Sequence, residues 1–202
     1  YRFSASTDLF LPALFFSSPG GLFSTVYWRG SDLLGNHTAG ALFSYGSSQG
    51  YFDYQTTYAY NRYRPQLIVG AAGRGQRDLY DGNRGLSYSE GLHAQFVGAS
   101  YPLDRFHRVE ASVTSVSDII NYQGAPRLTG QTRALSYGLV RDTSTGRYLV
   151  ATRGSRVRLS YDQALLTLGG NLRYDTASLE AHKFIETGSQ STLALRLAGI
   201  QS

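Results

Sequence analysis

Apolar and polar side chains alternate with a period of two in nearly every segment of this chain. Between Val157 and Gln163, Val157, Leu159 and Tyr161 fall on one side of an extended backbone, and Arg156, Arg158, Ser160 and Asp162 on the other. The same split separates Val109, Ala111 and Val113 from Arg108, Glu110, Ser112 and Thr114, and Leu193, Leu195 and Leu197 from Thr192, Ala194, Arg196 and Ala198. Side chains alternate across a strand, so the charges gather on one face. No helical stretch is present to cover the other. A closed barrel in a bilayer meets both demands: lipid faces the apolar side, water the charged side, and every backbone group is paired. The pattern predicts an all-β fold, an antiparallel transmembrane β-barrel; a soluble all-β domain is the competing reading.

Strands are expected at Leu9 to Phe16, Leu22 to Gly30, Thr38 to Tyr45, Tyr51 to Arg62, Gln66 to Gly73, Ser87 to Tyr101, Phe106 to Asp118, Gln131 to Thr143, Arg156 to Leu166, Asn171 to Ile185 and Ser191 to Ile200. These are about eleven strands near bilayer-spanning length. Tight links (Leu103 to Arg105, Glu186 to Ser189) alternate with long ones (Arg74 to Leu86, Ile119 to Gly130), as periplasmic turns alternate with outer loops. The Ser144 to Ser155 link breaks this pattern: it falls on the periplasmic side by parity and is long for a turn. Closure requires the end strands to pair, and bacterial single-chain barrels have even counts. The expectation is therefore a linker over 1–8 and, over 9–202, the N-terminal part of a barrel that continues beyond Ser202.

Composition supports this reading. The 202 residues include no methionine, and no signal-peptide pattern precedes Tyr1, so a signal peptide and further upstream sequence are expected to be missing. The 23 Gly, 16 Tyr and 10 Phe suit tight turns and aromatic girdles, and the longest apolar run, Leu9 to Phe16, is too short for a membrane helix. Without cysteine there is no disulfide framework and no thiolate metal site, which suits a chain that crosses an oxidising periplasm. The net charge of +5 is scattered rather than striped, which argues against nucleic acid as a partner.

Three sequence words stand out: Ser31-Asp32-Leu33-Leu34-Gly35-Asn36-His37, Tyr60-Asn61-Arg62-Tyr63-Arg64-Pro65, and Gly154-Ser155-Arg156 leading into Leu159-Ser160-Tyr161-Asp162-Gln163. They resemble the bacterial surface-antigen barrel family, which includes the BamA and TamA type insertases, and are most similar to members whose barrel follows a TolB-like periplasmic β-propeller. The resemblance covers nearly the whole chain. It implies a bacterial outer-membrane barrel of roughly sixteen strands, of which this chain supplies the first eleven or so. It also implies a lumen-folded loop with a Val-Arg-Gly-Phe or Val-Arg-Gly-Tyr motif, which would fall just after the chain ends. The partners implied are outer-membrane lipid, nascent outer-membrane proteins and periplasmic domains of the same chain. No cofactor is implied.

Motifs that suggest chemistry have simpler readings. Gly46-Ser47-Ser48-Gln49-Gly50 fits the G-x-S-x-G nucleophile pattern, but that turn needs a helix after the serine, and an alternating strand follows. His37, His93, His107 and His182 lack the spacing of a metal site or a serine–histidine pair. By parity His93 and His182 are expected on the charged face, in structural roles. Asp78-Leu79-Tyr80-Asp81-Gly82-Asn83 is faintly like a calcium loop but lacks EF-hand spacing, and an exposed polar turn is the better account.

Two groups of residues remain as candidate sites. Asp53, Arg108, Glu110, Arg156, Arg158, Asp162, Glu180 and Arg196 carry both charge signs on the expected lumen face, where they would form salt-bridge networks that hold a plug or returning loop, or line a pore. Leu9, Phe10, Leu11, Pro12, Ala13, Leu14, Phe15 and Phe16 form the candidate edge strand at the seam where family members are thought to open; Pro12 removes one donor and weakens pairing there. An unpaired edge can template an incoming strand, so assisting insertion or translocation of outer-membrane proteins by strand addition, without enzymatic chemistry, is the leading function. The alternatives are a passive pore or surface adhesion barrel, and an outer-membrane lipid hydrolase using His93 or His182.

Overall fold

A computed structural model describes residues 5–18, 21–48, 50–147, 150–188 and 191–202. The strands are β1 (Ala5–Ser17), β2 (Gly21–Asp32), β3 (His37–Gly46), β4 (Tyr51–Tyr60), β5 (Gln66–Asp81), β6 (Leu86–Pro102), β7 (His107–Tyr122), β8 (Leu128–Asp142), β9 (Thr145–Arg147), β10 (Val150–Ala164), β11 (Tyr174–Glu186) and β12 (Thr192–Gln201). They form one antiparallel sheet in the order β1-β2-β3-β4-β5-β6-β7-β8-β10-β11-β12, and β9 pairs with β10 off that path. Every segment expected from the alternation is a strand, and β9 is the addition.

Register carries the alternation from strand to strand. Val109, Leu139, Leu159 and Leu179 form one cross-strand row, and Glu110, Gly138, Ser160 and Ser178 form the next row on the opposite face. The hydroxyls of Ser160 and Ser178 meet at 2.6 Å. A wall one strand thick has almost no interior: among the described residues the buried apolar side chains are Ala134, Val140 and Ala164.

The expected long outer loops are largely strand. β5, β6 and β7 run for 16, 17 and 16 residues, whereas a bilayer needs about 9 to 11. The excess projects beyond the rest of the wall at the end that carries Asp81, Leu86 and Tyr122. Asp78, at φ +57, lies in a bulge between Gln76 and Leu79 that reverses which face later β5 residues occupy. Extra length that the sequence suggested as loop is thus paired hairpin.

The anomalous link after β8 is also paired. β9 folds back on the start of β10, with Gly146 opposite Ala151. Gly154 then adopts φ +94, and a Cβ there would stand 2.3 Å from the Thr143 carbonyl oxygen. Only glycine fits such a left-handed, crowded position.

β1 and β12 lie at the two ends of the strand order, and the sheet is open between them. Pairing of β1 starts ahead of Leu9: Ala5 lies opposite Asp32, and a bulge between Thr7 and Leu9 sets Asp8 out of register.

Candidate functional site

The charged residues singled out from the sequence all fall on one face, but in separate clusters. On β7, Arg108 Nε donates to Glu110 Oε1 at 2.7 Å, and Arg158 from β10 reaches Glu110 Oε2 at 3.1 Å. These groups line a hollow of about 500 Å³ together with Asp162, Ser136 and Phe96. Glu180 takes Arg196 at 2.7 Å and His182 at 3.0 Å. Arg156 lies 3.9 Å from Asp142, and Asp53 lies 3.9 Å from Arg74.

Arg74 and Asp142 were not anticipated as partners. Arg74 reads as loop in the sequence, and Asp142 stands at the end of its strand. The network is solvated: the Arg158, Arg156 and Arg196 side chains are 46%, 45% and 66% exposed. Water screening limits such pairs to about 1 kcal/mol or less each.

One histidine is misplaced by the sequence reading. His93 lies opposite Gly73 and contacts Tyr54, with its Nδ1 3.5 Å from the Tyr54 hydroxyl, on the apolar face. The charged face of β6 carries Glu90, Leu92, Phe96 and Gly98 instead, so two large apolar residues invert the local pattern. Phe96 can lie there because Gly70 opposite it has no side chain; a Cβ would come within 2.4 Å of the ring. His182 does lie on the charged face with Glu180.

The remaining motifs are turns. Ser47 lies in the β3–β4 connection, where its hydroxyl accepts a hydrogen bond from Leu22 N at 2.9 Å; Gln49 lies outside the described residues. Asp81 accepts from the backbone of Asn83 and Arg84 and from the Tyr122 hydroxyl, so its oxygens are engaged at the tip of a projecting hairpin. No group of three or more potential metal ligands occurs among the described residues.

β1 differs from the other strands. Its register places Leu9, Leu11, Ala13 and Phe15 on the face that elsewhere carries charge, opposite Arg29, Tyr27, Thr25 and Phe23, and Phe10, Pro12, Leu14 and Phe16 on the apolar face. The strand is therefore apolar on both sides. It is also the end of the sheet, and Leu14 and Phe16 are 70% and 80% exposed. A continuous apolar run belongs where both faces are covered.

The outer face of the wall is the converse of the charged one. Its rows of Val, Leu, Tyr and Ala are exposed as a continuous surface, far larger than a soluble monomer leaves open. The sequence profile of the Omp85 superfamily domain matches residues 4–201. The chain belongs to the Omp85 superfamily. No curated protein sequence matches it. A solved structure of BamA from Haemophilus ducreyi lacking POTRA domains 1–3 matches with a TM-score of 0.65 at 15% identity, over 100% of this chain and 42% of that one.

At that identity the likeness concerns the fold. The chain spans about two-fifths of that BamA chain. As an Omp85 barrel wall the sheet lies in the bacterial outer membrane, its apolar face toward lipid and its charged face toward the lumen. The turns after β2, β4, β6 and β11 share one rim, and the projecting β5–β6 and β7–β8 hairpins mark the opposite one.

Proposed function

We propose that this Omp85 wall helps insert outer-membrane proteins by strand addition along β1. The observation that supports this reading is the character of β1: it is the first strand in the order of the wall and, unlike the others, carries apolar side chains from Leu9 to Phe16 on both faces. An incoming strand would gain main-chain hydrogen bonds from that strand and apolar cover from Leu11 and Phe15 on one side, Leu14 and Phe16 on the other. Pro12 lacks an N–H, so a pairing at that position is weaker and easier to exchange. Nascent outer-membrane strands are the partners in this reading. β1 starts, at Ala5, on the rim that carries the short turns, where periplasmic domains of the same chain would stand.

Two cysteines, one on β1 and one on the strand that closes the parent barrel, test the mechanism. When oxidised, they lock the seam. Insertion of a reporter barrel into liposomes should stop in the oxidised protein and return on reduction. Full activity with the cross-link confirmed would remove strand addition and leave a passive barrel.

A further inference from the structure

The lipid-facing side of β6, β7, β8, β10 and β11 is not flat. Ala99, Ala111 and Ala177 floor a groove of about 690 Å³ whose walls include Tyr101, Leu139 and Tyr161. One cross-strand row steps from two small residues, Ala99 and Ala111, to two large ones, Tyr137 and Tyr161, and back to Ala177. The depression therefore follows from register, and it is apolar throughout its outer-facing lining.

One end of the groove is basic. Arg141 lies two residues beyond Leu139 on the same face, roughly 7 Å along the strand, and is exposed. Arg64, on the turn after β4, stacks over Tyr101 with its guanidinium carbon 5.2 Å from the ring centroid. Two of its donors hold the Pro102 and Leu103 carbonyls at 3.1 and 2.8 Å, which fixes the guanidinium at the groove mouth and leaves its remaining N–H groups available. Asp104, the nearby carboxylate, is engaged in its own turn: it accepts from Phe106 N, His107 N and the His107 ring. Among the described residues no carboxylate pairs with Arg64 or Arg141.

We propose that this groove holds one anionic phospholipid, with an acyl chain over the alanine floor and the headgroup phosphate on Arg64 and Arg141. Both halves of the ligand are specified by the wall: an apolar depression lined by Ala99, Ala111, Leu139 and Tyr161, and two cations, the anchored Arg64 and the exposed Arg141, toward the rim. The site lies several strands from the β1 edge and does not depend on strand addition. Its consequence is a lipid held at a defined place on the wall, which would anchor this sector while the β1 edge opens.

The test uses the full parent barrel, delipidated in detergent, titrated with phosphatidylglycerol or phosphatidylcholine and read by native mass spectrometry. One phosphatidylglycerol should be retained in preference to phosphatidylcholine. Arg141→Gln and Arg64→Gln should each weaken retention about fivefold, as expected for roughly 1 kcal/mol per cation at a membrane surface, and Arg141→Lys should retain it. Ala111→Phe, which fills the slot, should abolish it, with folding verified by heat-modifiable mobility. Ala177→Leu serves if that variant does not fold. Equal retention of both lipids, or undiminished phosphatidylglycerol on a folded groove-filled variant, would overturn the site. Reporter-barrel insertion by the same variants is a separate readout, so loss of one activity does not imply loss of the other.

Discussion

Arg158 and Glu110 meet at 3.1 Å across a strand that belongs to neither of them. β8 lies between their strands, and the residue under the pair is Gly138, opposite both Glu110 and Ser160. A Cβ at 138 would stand 3.4 Å from both Glu110 Cβ and its Oε2. A methyl there would only touch Glu110, but a longer side chain would stand between the two charged groups. Gly138→Leu should therefore separate the pair and destabilise the folded barrel by about 1–3 kcal/mol, as overpacking does. Thermal unfolding followed by heat-modifiable mobility measures it, and an unchanged melting point would mean that the side chains reroute freely.

The ion pair itself is partly solvated. A double-mutant cycle of Glu110→Gln and Arg158→Gln should give a coupling of about 0.2–1 kcal/mol that shrinks as salt is raised. Coupling independent of ionic strength would show a drier lumen than the exposures indicate.

Neighbouring residues on β12 test the two faces. Leu195 lies opposite Lys183 on the lipid side, and Ala194 opposite Phe184 on the lumen side. Arginine on a lipid-facing site near the midplane costs about 2–4 kcal/mol. Leu195→Arg should lower the assembled fraction in liposomes far more than Ala194→Arg does. The reverse ranking would invert the wall.

The left-handed backbone at Gly154 is a sharp test of the link after β8. Alanine there would need φ +94 and would collide with the Thr143 carbonyl. Gly154→Ala should cost about 1–3 kcal/mol and speed amide exchange at Thr143, whose N–H bonds to the Ser155 carbonyl at 2.8 Å. Protection equal to the parent would show that the chain relaxes around the side chain.

Asp104 should set the acid tolerance of the β6–β7 turn. The Phe106 and His107 backbone N–H groups and the His107 ring hold its carboxyl down to about 2, below the usual carboxylate value. A depressed carboxylate contributes stability that is full above its unfolded value, near 4, and is lost as pH falls through 2. Amides of Phe106 and His107 should stay protected down to about pH 4 and lose protection below it, and Asp104→Asn should remove that pH dependence. Protection insensitive to both changes would show that the turn is held by its backbone alone.

The sequence by itself determined the strands and nearly all of their faces, because a period of two is a local property that each segment carries independently. Every expected strand formed, and Arg156, Arg158, Asp162 and Arg196 share a face as their spacing requires. Partnership was decided by the tertiary structure, because the residue opposite a given charge depends on register, and register is set by turns and bulges. That is why Glu110 finds Arg158 over Gly138, why Asp53 finds Arg74 in what reads as a loop, and why the Gln76–Leu79 bulge reverses the end of β5. His93 failed for the same reason: Leu92 and Phe96 occupy the charged face, so the local pattern points the wrong way, and only pairing with Gly73 beside Tyr54 fixes its side. The two-sided apolar character of β1 is likewise a matter of register, since only its pairing with β2 puts Leu9, Leu11, Ala13 and Phe15 on the face that elsewhere carries charge.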